Sequence, residues 1–379
     1  MTSDPRQLPA KPGTMSRRQL LRLIGLAGGS AVMYQAMTSL GFAAESSFTG
    51  FPKLGSAPRG ASVLVLGAGI AGMVAALELR NAGYRVQVLE FNDRPGGRVW
   101  TLRGGDRYTE LGGDTQDCGF APGQYINPGP WRLPHHHHGI LGYCRQFGVP
   151  LENFVQVNHQ ALLHSTQAFD GKPQRQRAVK ADYQGHVAEL LAKATQGGKL
   201  DAPLEREDQE KLLESLRWWG ALDKDFKYDR NLMSSERRGF DRDPGGGLGG
   251  RPVPSQPVGL KQMLDSQLWF SLPIGDLYEM QSTLLQPIGG MDRIADAFAH
   301  ELKGLIRFNA KVVDIHQDAN GVRATYEDTT LPGSRQTATA DWCVCTLPLS
   351  ILGQLPMNVG RPMADAISAV PYAAAVKVG

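Results

Sequence analysis

Residues 61–66, Ala-Ser-Val-Leu-Val-Leu, form a short apolar run with little alternation. A β-branched run of this kind predicts a strand buried on both faces, as in a parallel sheet. Residues 73–81 then read as a helix closed by Gly83, and residues 84–89 as a second strand. Strand, helix, strand in that order predicts a βαβ unit in an α/β fold. Amphipathic spacing recurs at 183–194 and 209–219, which predicts a helical region. Over 292–302 it places Ile294, Ala297, Phe298 and Leu302 on one helix face. A last strand is expected over 342–347, ending at Pro348. The Gly- and Pro-rich stretch 243–256 predicts a surface loop, and no internal repeat is present.

The N-terminus has a different pattern. Ser16-Arg17-Arg18-Gln19-Leu20-Leu21 is a twin-arginine signature, followed by an apolar stretch to Phe42 and small residues through Ala44. This predicts a cleaved twin-arginine export signal over 1–44, a linker over 45–60, and a periplasmic or secreted protein. Arg22, Gly28, Gly29, Ser30 and Gln35 make the stretch a poor spanning helix, so no stable membrane anchor is expected.

With 41% apolar and 20% charged residues, the remainder has the composition of a globular protein. A net charge of +3 gives no reason to expect a nucleic-acid partner. The four cysteines, Cys118, Cys144, Cys343 and Cys345, form no CxxC pair. Cys343 and Cys345 read as buried small hydrophobes. The run His135 to His138 cannot converge on one ion, so no metal site is expected. It reads as well as a solvated helix start as anything catalytic.

Between the first strand and helix lies Gly67-Ala68-Gly69-Ile70-Ala71-Gly72. In a βαβ frame Gly67 permits the tight turn, Gly69 admits a pyrophosphate, and Gly72 lets helix and strand approach. The helix start at Ile70 and Ala71 offers unpaired N–H groups to phosphates. Glu90, at the end of the second strand, can accept from ribose hydroxyls and would repel a phosphorylated ribose.

From Glu90 the chain continues Phe91-Asn92-Asp93-Arg94-Pro95-Gly96-Gly97-Arg98, and here it resembles the flavin amine oxidase family. The resemblance implies FAD as cofactor, with Phe91, Gly97 and Arg98 beside it and the Arg98 guanidinium near the pyrophosphate. Glu110-Leu111-Gly112-Gly113 resembles the family's second glycine segment. Gln286 to Ile294, with Gly289-Gly290-Met291, resembles the segment that returns the chain to the FAD domain. Residues 309–315 resemble the strand whose backbone contacts adenine, with Val312 at the contact position. Asn320-Gly321 after that strand predicts a type I′ hairpin turn.

Gly129-Pro130-Trp131-Arg132-Leu133-Pro134 is similar to the GPxRxP segment of the L-amino acid oxidases. By that match Gly129, Pro130 and Trp131 line the flavin ring, and Arg132 binds the substrate carboxylate. Tyr143 and Phe147 fit the helix that follows, and His137 falls where the family has a histidine at the rim of the site. A planar carboxylate suits a guanidinium fork, and fixing it aligns the α-hydrogen for transfer. The implied reaction is FAD-dependent oxidative deamination of an L-amino acid by dioxygen, giving a keto acid, ammonia and hydrogen peroxide. A monoamine or polyamine oxidase, a decarboxylating amino acid monooxygenase, and an inactive flavin-fold protein are the competing readings. Homo-oligomerisation is compatible with the resemblance.

The expected fold is α/β: a Rossmann-like FAD-binding domain with an α+β substrate domain and a helical insertion, of amine oxidase type. The FAD-binding segments are 61–114 and 286–348. A substrate-domain segment covers 115–175, a helical insertion 176–285, and the start of a further, truncated substrate segment 349–379. Family members continue further, into a final FAD-binding segment, so the chain reads as C-terminally incomplete. Many amine oxidases have a lysine that orients a water at the flavin; counting back from Lys377 its place falls near Gln354, so that role is unassigned.

Overall fold

The structure, a computed structural model, describes residues 48–109, 113–200, 204–247, 249–280, 282–331 and 333–372. The expected export signal, Glu110 to Gly112 and Lys377 lie outside the described residues. The chain divides into two compact units, 155–281 and the remainder.

In the larger unit the first strand is β1 (Ser62–Leu66), followed by α1 (Ile70–Asn81) and β2 (Arg85–Leu89). Next come β3 (Leu133–Pro134), α2 (His138–Gln146), β4 (Leu151–Asn153), β5 (Leu284–Pro287) and α3 (Asp292–Glu301). The unit continues with β6 (Ile306–Arg307), β7 (Ala310–Asp318), β8 (Gly321–Asp328), β9 (Arg335–Ala340) and β10 (Trp342–Cys345). The main sheet has the order β6-β2-β1-β10, and all its strands are parallel. An antiparallel meander, β7-β8-β9, forms a second sheet, and β3-β5-β4 a third.

The unbroken apolar character of β1 follows from burial on both faces. Val63 and Val65 pack with Met73, Ala76 and Leu77 of α1 and with Ile294, Ala295 and Phe298 of α3. Leu64 and Leu66 pack with Ala310, Val312, Ala324, Tyr326 and Ala338 of the meander. Alternate side chains of one strand thus serve two cores, which fixes its register in a helix, sheet, meander sandwich. A slip of one residue would exchange the two sets. Phe298 is fully buried, a burial that contributes about 2–3 kcal/mol.

Three local expectations change. Asp318 pairs with Gly321 across the β7–β8 turn, so the central residues are Ala319 and Asn320. Neither takes positive φ, whereas Gly321 does, at 130°. The Asp318 carboxylate accepts the Asn320 N–H at 2.7 Å, and this side-chain bond replaces the type I′ geometry. Cys343 is half-buried, but Cys345 is exposed, because β10 lies at the edge of the main sheet among the described residues. His135 is buried, 2% exposed. It follows β3, whose pairing with Leu284 and Leu285 draws the chain inward.

The smaller unit is built around the helix Gln176–Gln196, packed on the helix Arg206–Gly220. Small residues set that contact, since a Cβ on Gly220 would come within 2.2 Å of the Ala188 Cβ. Asp182, fully buried, accepts the Tyr228 hydroxyl at 2.7 Å, Arg238 Nε at 2.8 Å and the Val258 N–H at 2.9 Å. The Gly- and Pro-rich stretch 243–256 follows the strand Phe240–Arg242 and itself contains the strand Val253–Pro254 that pairs with it, so it is not loop throughout. No helix among the described residues is long and apolar enough to cross a membrane.

Candidate functional site

The glycine loop connects β1 to α1 at the C-terminal end of the parallel sheet, where α/β folds bind ligands. Gly67 takes φ of 98°, which a side chain would resist. A Cβ on Gly72 would sit 2.0 Å from the Gly67 carbonyl oxygen, so helix and turn touch directly. Gly69 is the N-cap residue of α1, and a Cβ built on it meets nothing within 4 Å. The first N–H groups of α1 have no intrahelical acceptors, and Gly69 just before them leaves room beside its own Cα.

Glu90 closes the other side. It is 5% exposed. One carboxylate oxygen accepts the Ala68 N–H at 2.6 Å, and the other accepts the Asn92 N–H at 2.9 Å and its amide at 2.7 Å. Three of roughly four lone-pair sites are thereby used, and the carboxylate both braces the glycine loop and keeps one acceptor direction. Phe91 beside it is exposed.

The Gly96-Gly97-Arg98 turn lies on the glycine loop. The Gly96 N–H donates to the Ala68 carbonyl at 2.8 Å, and a Cβ on Gly97 would be 3.5 Å from the Gly69 Cα. Arg94 holds the turn from below, donating to the Gly97 carbonyl at 2.9 Å with its guanidinium 4.3 Å from the centre of the Trp100 ring. Partial burial lowers its pKa. Arg98 is exposed. Gly129 packs on this turn, since a Cβ there would fall 1.8 Å from the Arg98 carbonyl oxygen. The glycine loop, the GGR turn and the segment carrying Pro130, Trp131 and Arg132 are therefore consecutive neighbours. Val312 is buried on β7, two residues beyond Ala310, whose N–H donates to the Glu90 carbonyl at 2.7 Å.

Several residues at this junction are not singled out by the sequence. Asn127, Thr101 and the ion pair between Arg103 and Asp292, with bonds of 2.7 and 2.8 Å, knit the same segments together. The pairing with Asp292 raises the Arg103 pKa. Asn127 precedes the Gly-Pro segment by two positions, and an amide beside such a turn is the one signal that could have found it. Tyr143 and Phe147 belong to the core around Phe298. The Tyr143 hydroxyl donates to Glu78 at 2.7 Å. His135, His136 and His137 make successive edge-on ring contacts. A cleft of about 430 Å³, lined in part by Phe120, Tyr125 and Arg293, involves none of the expected cofactor or substrate residues.

Residues 70–379 match the model of the flavin containing amine oxidoreductases. The chain belongs to this family. Among its relatives, an L-amino-acid oxidase of Bothrops pauloensis is 30% identical over 75% of this chain and 52% of its own length. One from Pseudechis australis is 30% identical over 70% of this chain and 47% of its own. One from Bungarus fasciatus is 27% identical over 83% and 56%. The chain thus spans about half the length of these relatives. A solved putrescine oxidase aligns with 81% of this chain and 63% of its own, at 17% identity and a TM-score of 0.42. The cofactor of this amine oxidoreductase is FAD, and the residues described above fit it: an open glycine loop, a helix N-terminus and a buried carboxylate, in the order a dinucleotide needs.

Proposed function

We propose that this protein oxidises free L-amino acids to keto acids, releasing ammonia and hydrogen peroxide. The observation that carries the reading is the seat of Gly129 on the Arg98 carbonyl. It brings the segment with Arg132 against the turn that lies on the glycine loop. In this reading Gly67, Gly69, Ile70, Ala71 and Gly72 hold the pyrophosphate, helped by Arg98, and Glu90 takes the adenosine ribose. Phe91, Gly97 and the Val312 backbone line the adenosine side, and Gly129, Pro130 and Trp131 line the ring. Residues 61–114 and 286–348 are assigned to the FAD domain, 115–175 to the substrate domain and 176–285 to its helical insertion. The twin-arginine signature assigns the protein to the export route that carries folded, cofactor-loaded chains.

Arg132 grips the substrate carboxylate through two parallel N–H···O bonds and so orients the α-carbon. FAD, when bound, supplies a two-electron acceptor that dioxygen regenerates with formation of hydrogen peroxide. Water completes the reaction by converting the imino acid to keto acid and ammonia.

The test is substrate discrimination by Arg132 variants of the FAD-loaded chain. Charge-assisted bonds of this type contribute about 1.5–3 kcal/mol. Arg132→Ala is therefore expected to lower kcat/KM for L-amino acids by about 10- to 150-fold. Turnover of amino acid amides is expected to change little. Equal wild-type activity on amines and free amino acids would overturn the reading in favour of an amine oxidase. Carbon dioxide in place of ammonia would point to a decarboxylating monooxygenase.

A further inference from the structure

Asn127 is 8% exposed and Thr101 is 1% exposed. Neither contributes to a hydrophobic core. The Asn127 side-chain carbonyl accepts the Thr101 hydroxyl at 2.7 Å and the Met291 N–H at 3.0 Å. The same Thr101 hydroxyl accepts the Asp292 N–H at 3.2 Å. Two N–H groups at the start of α3 are thus spent inside the protein. The Asn127 main-chain carbonyl accepts the Trp131 indole N–H at 2.6 Å. Gly290, at φ of 121°, sits where a Cβ would strike the Thr101 side chain at 2.5 Å, so this approach is as close as a backbone permits. Arg103 completes the ring, gripping Asp292 and donating to the Gly289 carbonyl at 2.5 Å.

Three stretches far apart in sequence, 101–103, 127–131 and 289–292, therefore meet at one buried node, and one of its bonds ends on Trp131. We propose that Asn127 and Thr101 are positioning residues that hold Trp131 and Arg132 in register with the cofactor, a role that rests on the functional reading above. The physical reason is geometric. Beyond the segment 129–132 the chain pairs as a two-residue strand, Leu133 and Pro134 against β5, and the node ties the segment on its other side through the Trp131 indole. A hydrogen-bonded polar network of this kind rigidifies what it ties. A site whose supporting contacts loosen by about 1 Å can lose about 100-fold in rate.

The experiment compares Thr101→Val and Thr101→Ser in the full chain loaded with FAD. It measures flavin stoichiometry, visible circular dichroism of the bound flavin, and kcat and KM for an L-amino acid. Valine matches threonine in shape but cannot donate to Asn127 or accept from Asp292. The expected result is a full complement of flavin, an altered flavin dichroism band, and kcat lowered about 10- to 100-fold, with KM changing less than kcat. Serine restores the hydroxyl and is expected to recover both band and rate. A valine variant with wild-type dichroism and kcat, or one that loses only stability, overturns the proposal. If the valine variant does not fold, Thr101→Ala decides. It removes the hydroxyl without placing a methyl against Gly290 and leaves Trp131 itself unchanged. An unchanged flavin band then overturns the proposal, and an altered band supports it. Should the wild-type chain bind FAD but oxidise no amino acid, the functional reading fails, and the dichroism arm still tests the node.

Discussion

Gly69 and Gly72 separate two requirements that a glycine-rich motif combines. In Gly72→Ala the new methyl would lie 2.0 Å from the Gly67 carbonyl and 2.9 Å from the Thr346 hydroxyl. That hydroxyl is itself committed to the Leu66 carbonyl at 2.8 Å. Reaching an ordinary contact of 3.4 Å means moving α1 or the turn by 3.4 − 2.0 = 1.4 Å. Overpacking against such fixed partners costs about 1–3 kcal/mol, and the high end applies here because the first partner is backbone. In Gly69→Ala the methyl meets nothing within 4 Å, and the residue's φ of −69° suits alanine. A weaker N-cap and a less flexible unfolded chain roughly cancel, leaving the FAD-free protein within about 0.5 kcal/mol of wild type. In the functional reading proposed above, however, the methyl would occupy the space that the pyrophosphate needs. At FAD about 100-fold above its dissociation constant, wild type gains about 2.7 kcal/mol. A 100-fold weaker variant at the same concentration gains only about 0.4 kcal/mol. Denaturant melts followed by tryptophan fluorescence, with and without FAD, read both quantities. If Gly69→Ala took the full FAD stabilisation, the loop would not seat the pyrophosphate. If Gly72→Ala were as stable as wild type without FAD, the direct contact between helix and turn would be wrong.

Other outcomes follow from single interactions. Asp182→Asn removes a buried charge from Arg238, whose side chain is 8% exposed. Breaking such a pair costs about 3–5 kcal/mol, which hydrogen exchange would register as lost protection across the helix Gln176–Gln196. Burial pushes the Cys144 thiol up to about 11. The unfolded thiol ionises first, near about 8.5, so this contribution to stability is complete below that pH and is lost as pH rises toward 11. Cys144→Ala is expected to flatten that part of the alkaline stability profile in urea melts, and an unchanged profile would contradict it. Exposed Cys345 is expected to react with a thiol reagent before buried Cys144, as mass spectrometry of the labelled peptides would show.

The parts of the fold legible in the sequence are those whose cause is local. β1 announces itself because both of its faces are buried, which leaves no polar alternation. The glycine loop is legible because φ of 98° at Gly67 and the 2.0 Å approach at Gly72 each exclude a side chain. The amphipathic stretches that predict helices lie within Gln176–Gln196 and Arg206–Gly220. Where a local rule fails, a nearby competitor is visible. The Asn-Gly signal at 320–321 loses to the Asp318 carboxylate, which bonds the turn from the side. His135 looks like a solvated residue in a polar run, yet it is carried inward by the strand before it.

The node at Asn127 shows a different limit. Its bonds join residues 26 and 164 positions apart, and no periodicity or spacing relates such distant positions. The two glycines before Met291 are recognisable as a motif, but a motif does not say what they are for. Gly290 is there because Thr101 fills the space a Cβ would need, and the Met291 N–H is exposed to Asn127 by that same close approach. The residues proposed to carry the chemistry are the ones a pattern can pick out, since cofactor and substrate would dictate their types. The residues proposed to aim them are set by the shape of the packed segments. They are ordinary threonines and asparagines in sequence, and only burial and hydrogen-bond partners set them apart. Substitutions at Thr101 and Asn127 therefore probe a layer of the site that a motif search would pass over.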